Sequence, residues 1–278
     1  MTAHVDRIAA FSDGALGGNP AGVVIAEQMP AEEEMQRIAA EVGYSETAFA
    51  APEGAGWRVR YFAPVGEVAF CGHATIALGA TLAGRFGAGT YALQLNDAGI
   101  SVEGQRHGDR VHAALISPPT RSGAVDLEVL EAALALFGLD ESDLDPTLPA
   151  AVANAGNDHL VLALRDRARL ATMEYDLNRG AAYMRLNGFT TINLLWVETP
   201  QRFHSRNAFA IGGVLEDPAT GAAAAALAGY LRDIGWPHGG TIDIVQGEDM
   251  GARSLLRVEI GDTPGQGVRV SGSARQIG

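Results

Sequence analysis

Residues 221–232 read GAAAAALAGYLR, in which eight of the twelve residues are alanine or glycine. Alanine forms helix readily, and side chains this small let a helix sit close to surrounding strands, as a helix threaded into a curled sheet must. Residues 72–84, GHATIALGATLAG, have the same character. With Gly72 placed over Gly221, Ala74 falls on Ala223, Ala77 on Ala226, Leu78 on Leu227 and Leu82 on Leu231. Upstream, Glu67 falls on Glu216 and Cys71 on Thr220. Self-similarity of this kind points to a repeated unit. The chain is therefore expected to hold two copies of one strand-rich unit, each wrapped on its own helix.

The remaining pattern agrees. Alternating apolar runs predict strands at 7–11, 22–26, 44–50, 57–62, 91–95, 101–103 and 110–116, with helices at 30–42 and 73–83, the second closed by Gly84. Gly14, Gly17, Gly18, Asn19 and Pro20 mark a turn-rich insert. Ser117-Pro118-Pro119 is the best boundary, which divides the chain into halves 1–118 and 119–278, the last strand packing back on the first half. In the second half, helices are expected at 127–137, 179–186 and 221–232. Strands are expected at 159–164, 191–197, 206–210, 241–245, 255–260 and 268–271.

Composition excludes several classes of function. The 278 residues are 47% hydrophobic and 19% charged, enough apolar mass for a full core. The net charge of −13 lacks the footprint for coating nucleic acid or an anionic membrane. All 20 basic residues are arginine, so neither a lysine Schiff base of the pyridoxal type nor a Walker-type phosphate lysine is available. The single cysteine excludes an internal disulfide and a zinc–cysteine cluster. His4, Asp6 and Arg7 occupy the place of a leader's apolar stretch, and no apolar run is long enough for a membrane helix. A cytoplasmic protein is expected. No histidine set has metal-ligand spacing, so no metal site is expected.

Helix N-termini carry unpaired N–H groups and a partial positive charge. The two at Gly72-His73 and Gly221-Ala222 are expected to face one cleft between the halves and to hold a small carboxylate there without any lysine. Glu46 sits in an otherwise uncharged stretch, Tyr44 to Phe49, which suits a proton shuttle; a solvated strand carboxylate is the alternative. His73 lies in a first helical turn, either against substrate or as a hydrogen-bonded helix-end histidine. Asp217 precedes the second helix, as its cap, as a ligand for a substrate amine, or as both. Asn19 fixes its turn and, if that loop lies at the cleft, also meets substrate. Glu67 and Glu216 read as structural carboxylates that order loops.

Four stretches carry a resemblance: FSDGALGGNPAGVV at 11–24, SETAF at 45–49, PVGEVAFCGHATIA at 64–77 and SRNAFAIGGVLEDPATGAAAAAL at 205–227. Together they resemble the PhzF-like family, named for the phenazine-biosynthesis isomerase. The resemblance implies an α+β chain of two pseudo-symmetric diaminopimelate-epimerase-like domains, each a curled, mostly antiparallel sheet around a central helix. It also implies a homodimer, no metal and no organic cofactor. The family's reaction is isomerisation of trans-2,3-dihydro-3-hydroxyanthranilate, in which a carboxylate moves a proton between ring carbons. By resemblance Glu46 is that acid/base, His73 and Asp217 flank the substrate, and Ser45, Gly72, Gly221, Ala222 and Asn19 line its site. The partner is then a small cyclic amino or hydroxy carboxylate. Ala222 stands where the phenazine enzyme has serine, which puts the anthranilate-type substrate in question more than the reaction type. Cys71 aligns with a catalytic thiol of amino-acid epimerases, but its counterpart Thr220 is a poor base. A dehydratase of a hydroxy amino acid, with Cys71 or Glu46 as base, and a non-catalytic small-molecule binding protein are the alternatives.

Overall fold

The structure is a computed structural model that describes residues 4–96, 98–107 and 110–278; the first three residues of the N-terminal stretch discussed above lie outside them. The chain divides into two compact units, one formed by Met1–Ile116 with Ser271–Gly278 and the other by Ser117–Val270. It is rich in sheet and carries six α-helices among the described residues.

The first unit runs β1 (Asp6–Ala10), β2 (Asn19–Ile25), α1 (Glu32–Val42), β3 (Thr47–Glu53), β4 (Gly56–Ala63), β5 (Gly66–Val68), α2 (Gly72–Phe86), β6 (Gly89–Gln94), β7 (Gly99–His107) and β8 (Arg110–Ile116). Pairing is antiparallel for β1–β2, β3–β4, β4–β5, β6–β7 and β7–β8, and parallel for β2–β3 and β4–β6. Residues His73 to Ala83 of α2 are all buried, because strands cover the helix all round: it touches β1, β2, β3, β6, β7 and β8. Small residues make this possible. A Cβ on Gly79 would lie 2.5 Å from a methyl of Val102, and one on Gly104 would lie 2.5 Å from the Gly79 carbonyl oxygen. Outside the sheet, α1 seats Met35, Ile38 and Ala39 on Val24, Phe49 and Phe62. Three glutamates in its first turn favour its dipole, and Gly43 closes it at φ 71°.

The second unit contains β9 (Arg121–Ala124), α3 (Leu127–Phe137), β10 (Ala151–Asn154), β11 (Asp158–Leu164), α4 (Arg167–Ala171), α5 (Leu177–Asn187), β12 (Thr191–Thr199), β13 (Arg202–Ala208), β14 (Glu216–Asp217), α6 (Gly221–Asp233), β15 (Thr241–Gln246) and β16 (Ser254–Glu259). Here β9–β10, β10–β11, β12–β13, β13–β14 and β15–β16 are antiparallel, while β11–β12 and β13–β15 are parallel. Alanines 223–226 and 228 of α6 are buried, and the helix packs on β9, β10, β11 and β16. The hydrophobic faces of α3 and α5 close over Leu160, Leu162, Leu164, Ile192 and Leu194. A last strand, β17 (Arg269–Gln276), pairs antiparallel with β1 and also joins β8.

Several boundaries differ from the sequence expectations. The third strand begins at Thr47, so Tyr44, Ser45 and Glu46 form the bend that leads into it. Gly84 does not end α2; the helix continues to Phe86 and stops at Gly87, whose φ is 98°. The strand expected at 206–210 is β13, shifted to Arg202–Ala208, because residues Ala210–Gly212 form a 3-10 turn closed by Gly213 in the left-handed region. The strands β9 and β10 and the short helix α4 have too little periodicity to stand out in the sequence.

Candidate active site

In the first unit, the bend before β3 and the start of α2 bring four side chains together. Nε2 of His73 lies 3.4 Å from Oε2 of Glu46 and 3.3 Å from Oγ of Ser45. On the other edge of the ring, Nδ1 lies 3.3 Å from Sγ of Cys71. One tautomer suits this arrangement: Nε2–H faces the carboxylate and the hydroxyl, and Nδ1 accepts the thiol proton. Glu46 keeps only 13% of its side-chain surface and His73 7%, while Ser45 is exposed. The Glu46 carbonyl accepts the Gly22 N–H, which ties the bend to β2.

A buried chain sets the start of α2. Tyr61 bonds Thr75 at 2.6 Å, and the Thr75 hydroxyl donates to the Cys71 carbonyl at 2.7 Å. Thr75 thus donates onward and the Tyr61 hydroxyl donates to it; burial pushes the Tyr61 phenol well above its ordinary range. The Cys71 side chain makes no cap hydrogen bond to the helix, and the first-turn N–H groups, Gly72 and His73 among them, have no intrahelical acceptor. Gly72 is half-buried, and Asn19 is buried at the first residue of β2, opposite Ala10.

In the second unit, Asp217 and Thr220 flank the entry to α6. Thr220 Oγ1 donates to Asp217 Oδ2 at 2.5 Å. Gln246 clamps both: its Oε1 accepts the Thr220 N–H at 3.1 Å, and its Nε2 donates to the Asp217 carbonyl at 2.7 Å and to Thr220 Oγ1 at 3.0 Å. The Asp217 side chain holds the Thr220 hydroxyl at the entry to α6, and Thr220 bonds both Asp217 and Gln246. Gly221 is buried and Ala222 half-buried in the first turn.

The two glutamates matched by the repeat are both gripped by arginine. Arg60 Nε reaches Glu67 Oε1 at 2.7 Å, and this guanidinium holds the Glu67 carboxyl below its ordinary range. Arg206 Nε lies 3.1 Å from both oxygens of Glu216, with Nη2 at 2.6 Å from one of them. The two carboxylates lie in strands rather than loops, Glu67 in β5 and Glu216 in β14, and each ion pair ties its strand to the neighbouring one, β4 or β13. Sequence reasoning missed their arginines because the spacings differ, seven residues in one half and ten in the other. It also missed Gln246, which sits 26 residues after Thr220 with no local signal. A further buried chain passes from His159 Nδ1 to Thr191 Oγ1 at 2.8 Å and from that hydroxyl to Asn207 Oδ1 at 2.7 Å. Burial pushes the His159 imidazole down to about 4. Asn207 stands opposite Asp217 in the β13–β14 register.

No helix among the described residues is long and apolar enough to cross a membrane. The PhzC-PhzF family model, described as phenazine biosynthesis-like protein, matches residues 8–277. An Escherichia coli O157:H7 protein named uncharacterized isomerase YddE is 32% identical, over 99% of this chain and 96% of its own. The trans-2,3-dihydro-3-hydroxyanthranilate isomerase of Pseudomonas chlororaphis is 30% identical, over 91% of this chain and 88% of its own. Among solved structures, a Bacillus anthracis protein of the PhzF family superposes with a TM-score of 0.87 at 22% identity, covering 99% of this chain and 96% of that one. A hydroxyproline epimerase from Agrobacterium vitis shares the fold at a TM-score of 0.64, 11% identity and coverage of 99% and 89%. Matched by the family model along nearly its whole length and by full-length relatives above 30% identity, the chain belongs to the PhzC-PhzF family of phenazine biosynthesis-like proteins.

Proposed function

We propose that this protein is an isomerase that moves a proton on a small cyclic amino or hydroxy carboxylate, with Glu46 as the acid/base. The observation that carries this reading is the Glu46–His73 contact of 3.4 Å in a largely buried setting. A carboxylate held there by a bend and faced by an imidazole N–H is positioned to take a proton from one carbon and return it to another. The carbon that loses the proton joins the π system and the carbon that gains it leaves, so nothing is oxidised or reduced and no organic cofactor is required. Relatives named as isomerases support the reaction class.

Under this reading the first-turn N–H groups of α2 hold the substrate carboxylate, with Gly72 allowing its approach. Ser45, Asn19 and Asp217 complete the site on the strength of the resemblance, and two pseudo-symmetric halves and a homodimer belong to the same proposal. Deuterium uptake by NMR tests it. The protein and its Glu46→Gln variant are incubated in D₂O with trans-2,3-dihydro-3-hydroxyanthranilate and a panel of cyclic amino and hydroxy acids. Carbon-bound deuterium with the wild type alone supports the reading. Equal uptake in both removes Glu46 from the mechanism, and uptake with no compound favours a binding protein.

A further inference from the structure

We infer that Cys71 is a positioning residue of the proposed isomerase site: its thiol fixes the proton of His73 on Nε2, the edge that faces Glu46. Cys71 is the N-cap residue of α2, a place that favours serine, threonine, aspartate or asparagine. Its side chain makes no cap hydrogen bond there. Sγ instead lies 3.3 Å from Nδ1 of His73 and 3.9 Å from Nε2, so it meets the ring at the Nδ1 edge. The backbone that aims it is held by two hydrogen bonds. The Cys71 carbonyl accepts the Thr75 N–H at 3.0 Å and the Thr75 hydroxyl at 2.7 Å. Cys71 and His73 are both buried.

Which nitrogen of a neutral imidazole carries the proton is set by the hydrogen bond that the other makes. The thiol donates to Nδ1, which leaves Nε2 to carry the proton. That N–H then faces Oε2 of Glu46 at 3.4 Å and Oγ of Ser45 at 3.3 Å. Without the thiol, the Nδ1 lone pair is open to a proton. A ring protonated there either turns its Nε2 lone pair on the carboxylate or becomes an imidazolium. In the first case two acceptors face each other. In the second, an ion pair ties up the carboxylate that must take the substrate proton. Cys71 therefore acts through His73 and not on the substrate.

The test reads the ring directly. The protein is labelled with nitrogen-15 histidine, the His73 signals are assigned by their loss in His73→Gln, and the two ring-nitrogen shifts are recorded near neutral pH. The expected wild-type ring has a protonated Nε2 and a bare Nδ1. In Cys71→Ala, Nδ1 gains a proton; in Cys71→Ser, whose hydroxyl restores a donor, it is bare again. On a compound that takes up deuterium, Cys71→Ala is expected to lower kcat about two- to tenfold, the weight of one hydrogen bond, with KM unchanged. Cys71→Ser recovers most of that loss. Circular dichroism verifies that each variant is folded. A protonated Nδ1 in the wild type marks a thiolate–imidazolium pair and overturns the role, as does an identical ring state in wild type and Cys71→Ala. A loss in Cys71→Ser as deep as in Glu46→Gln makes Cys71 a base in its own right and overturns it too. If no compound takes up deuterium, the isomerase reading fails and the ring shifts still decide what Cys71 does to His73.

Discussion

His73 stands 3.4 Å from Glu46, with its Nε2 edge turned to the carboxylate and its Nδ1 edge turned to Cys71. Two separate backbone elements supply the pair, the bend before β3 and the first turn of α2. Its geometry therefore depends on how α2 is held inside its sheet. Glu46→Asp keeps the charge and withdraws it by one methylene. The expected outcome is a folded protein whose kcat falls about 10²-fold, the cost of a misplacement of roughly 1 Å. Steady-state kinetics on whichever compound takes up deuterium checks it, and a variant as fast as wild type would show that the carboxylate's reach is immaterial.

Gly79 gives α2 its close seat. Replacing a mid-helix glycine by alanine ordinarily stabilises a helix by about 1 kcal/mol. Here the new methyl meets Val102 at 2.5 Å and the side chain of Ala113 at 3.3 Å. Gly79→Ala is expected to destabilise by about 1–3 kcal/mol, since overpacking outweighs propensity. Urea denaturation decides between the two signs.

The two arginine–glutamate pairs differ in burial, and so in worth. Glu216 keeps 4% of its side-chain surface, against 24% for Glu67. Glu216→Gln leaves Arg206 without its counter-charge and is expected to cost about 3 kcal/mol. Glu67→Gln is expected to cost less than about 1 kcal/mol. Equal losses in thermal or chemical denaturation would contradict the burial argument.

Gln246 is almost wholly buried and serves both Asp217 and Thr220. Gln246→Ala orphans the Thr220 N–H and the Asp217 carbonyl, at about 1–3 kcal/mol. Hydrogen exchange should show the protection loss concentrated at the entry to α6. Protection lost evenly across the unit would assign Gln246 a general packing role.

His159 is neutral in the fold, its imidazole held down to about 4 by burial from an ordinary 6.5. Its folded value lies below its unfolded one. The stabilisation is thus fully present above pH 6.5 and is lost as pH falls toward 4, by about 3 kcal/mol at 1.36 kcal/mol per unit. His159→Gln should flatten the stability curve over that window relative to wild type. A difference between the two proteins that stays constant with pH would refute the assignment.

The sequence by itself determined the two alanine-rich helices, their glycine entries and the matched glutamates upstream of them. These follow from local propensity and from a repeat, both of which survive in linear order. Glu46 and His73 were legible because they sit in short motifs. Tertiary structure alone decided that Glu46 lies on a bend rather than in a strand, that Cys71 and Glu46 take opposite edges of one imidazole, and that Arg206 and Gln246 serve the approach to α6. Those partners lie 10 and 26 residues from the groups they hold, on strands whose pairing no local pattern encodes. Hydrogen bonds across such distances are set by sheet register, and register exists only once the chain has folded.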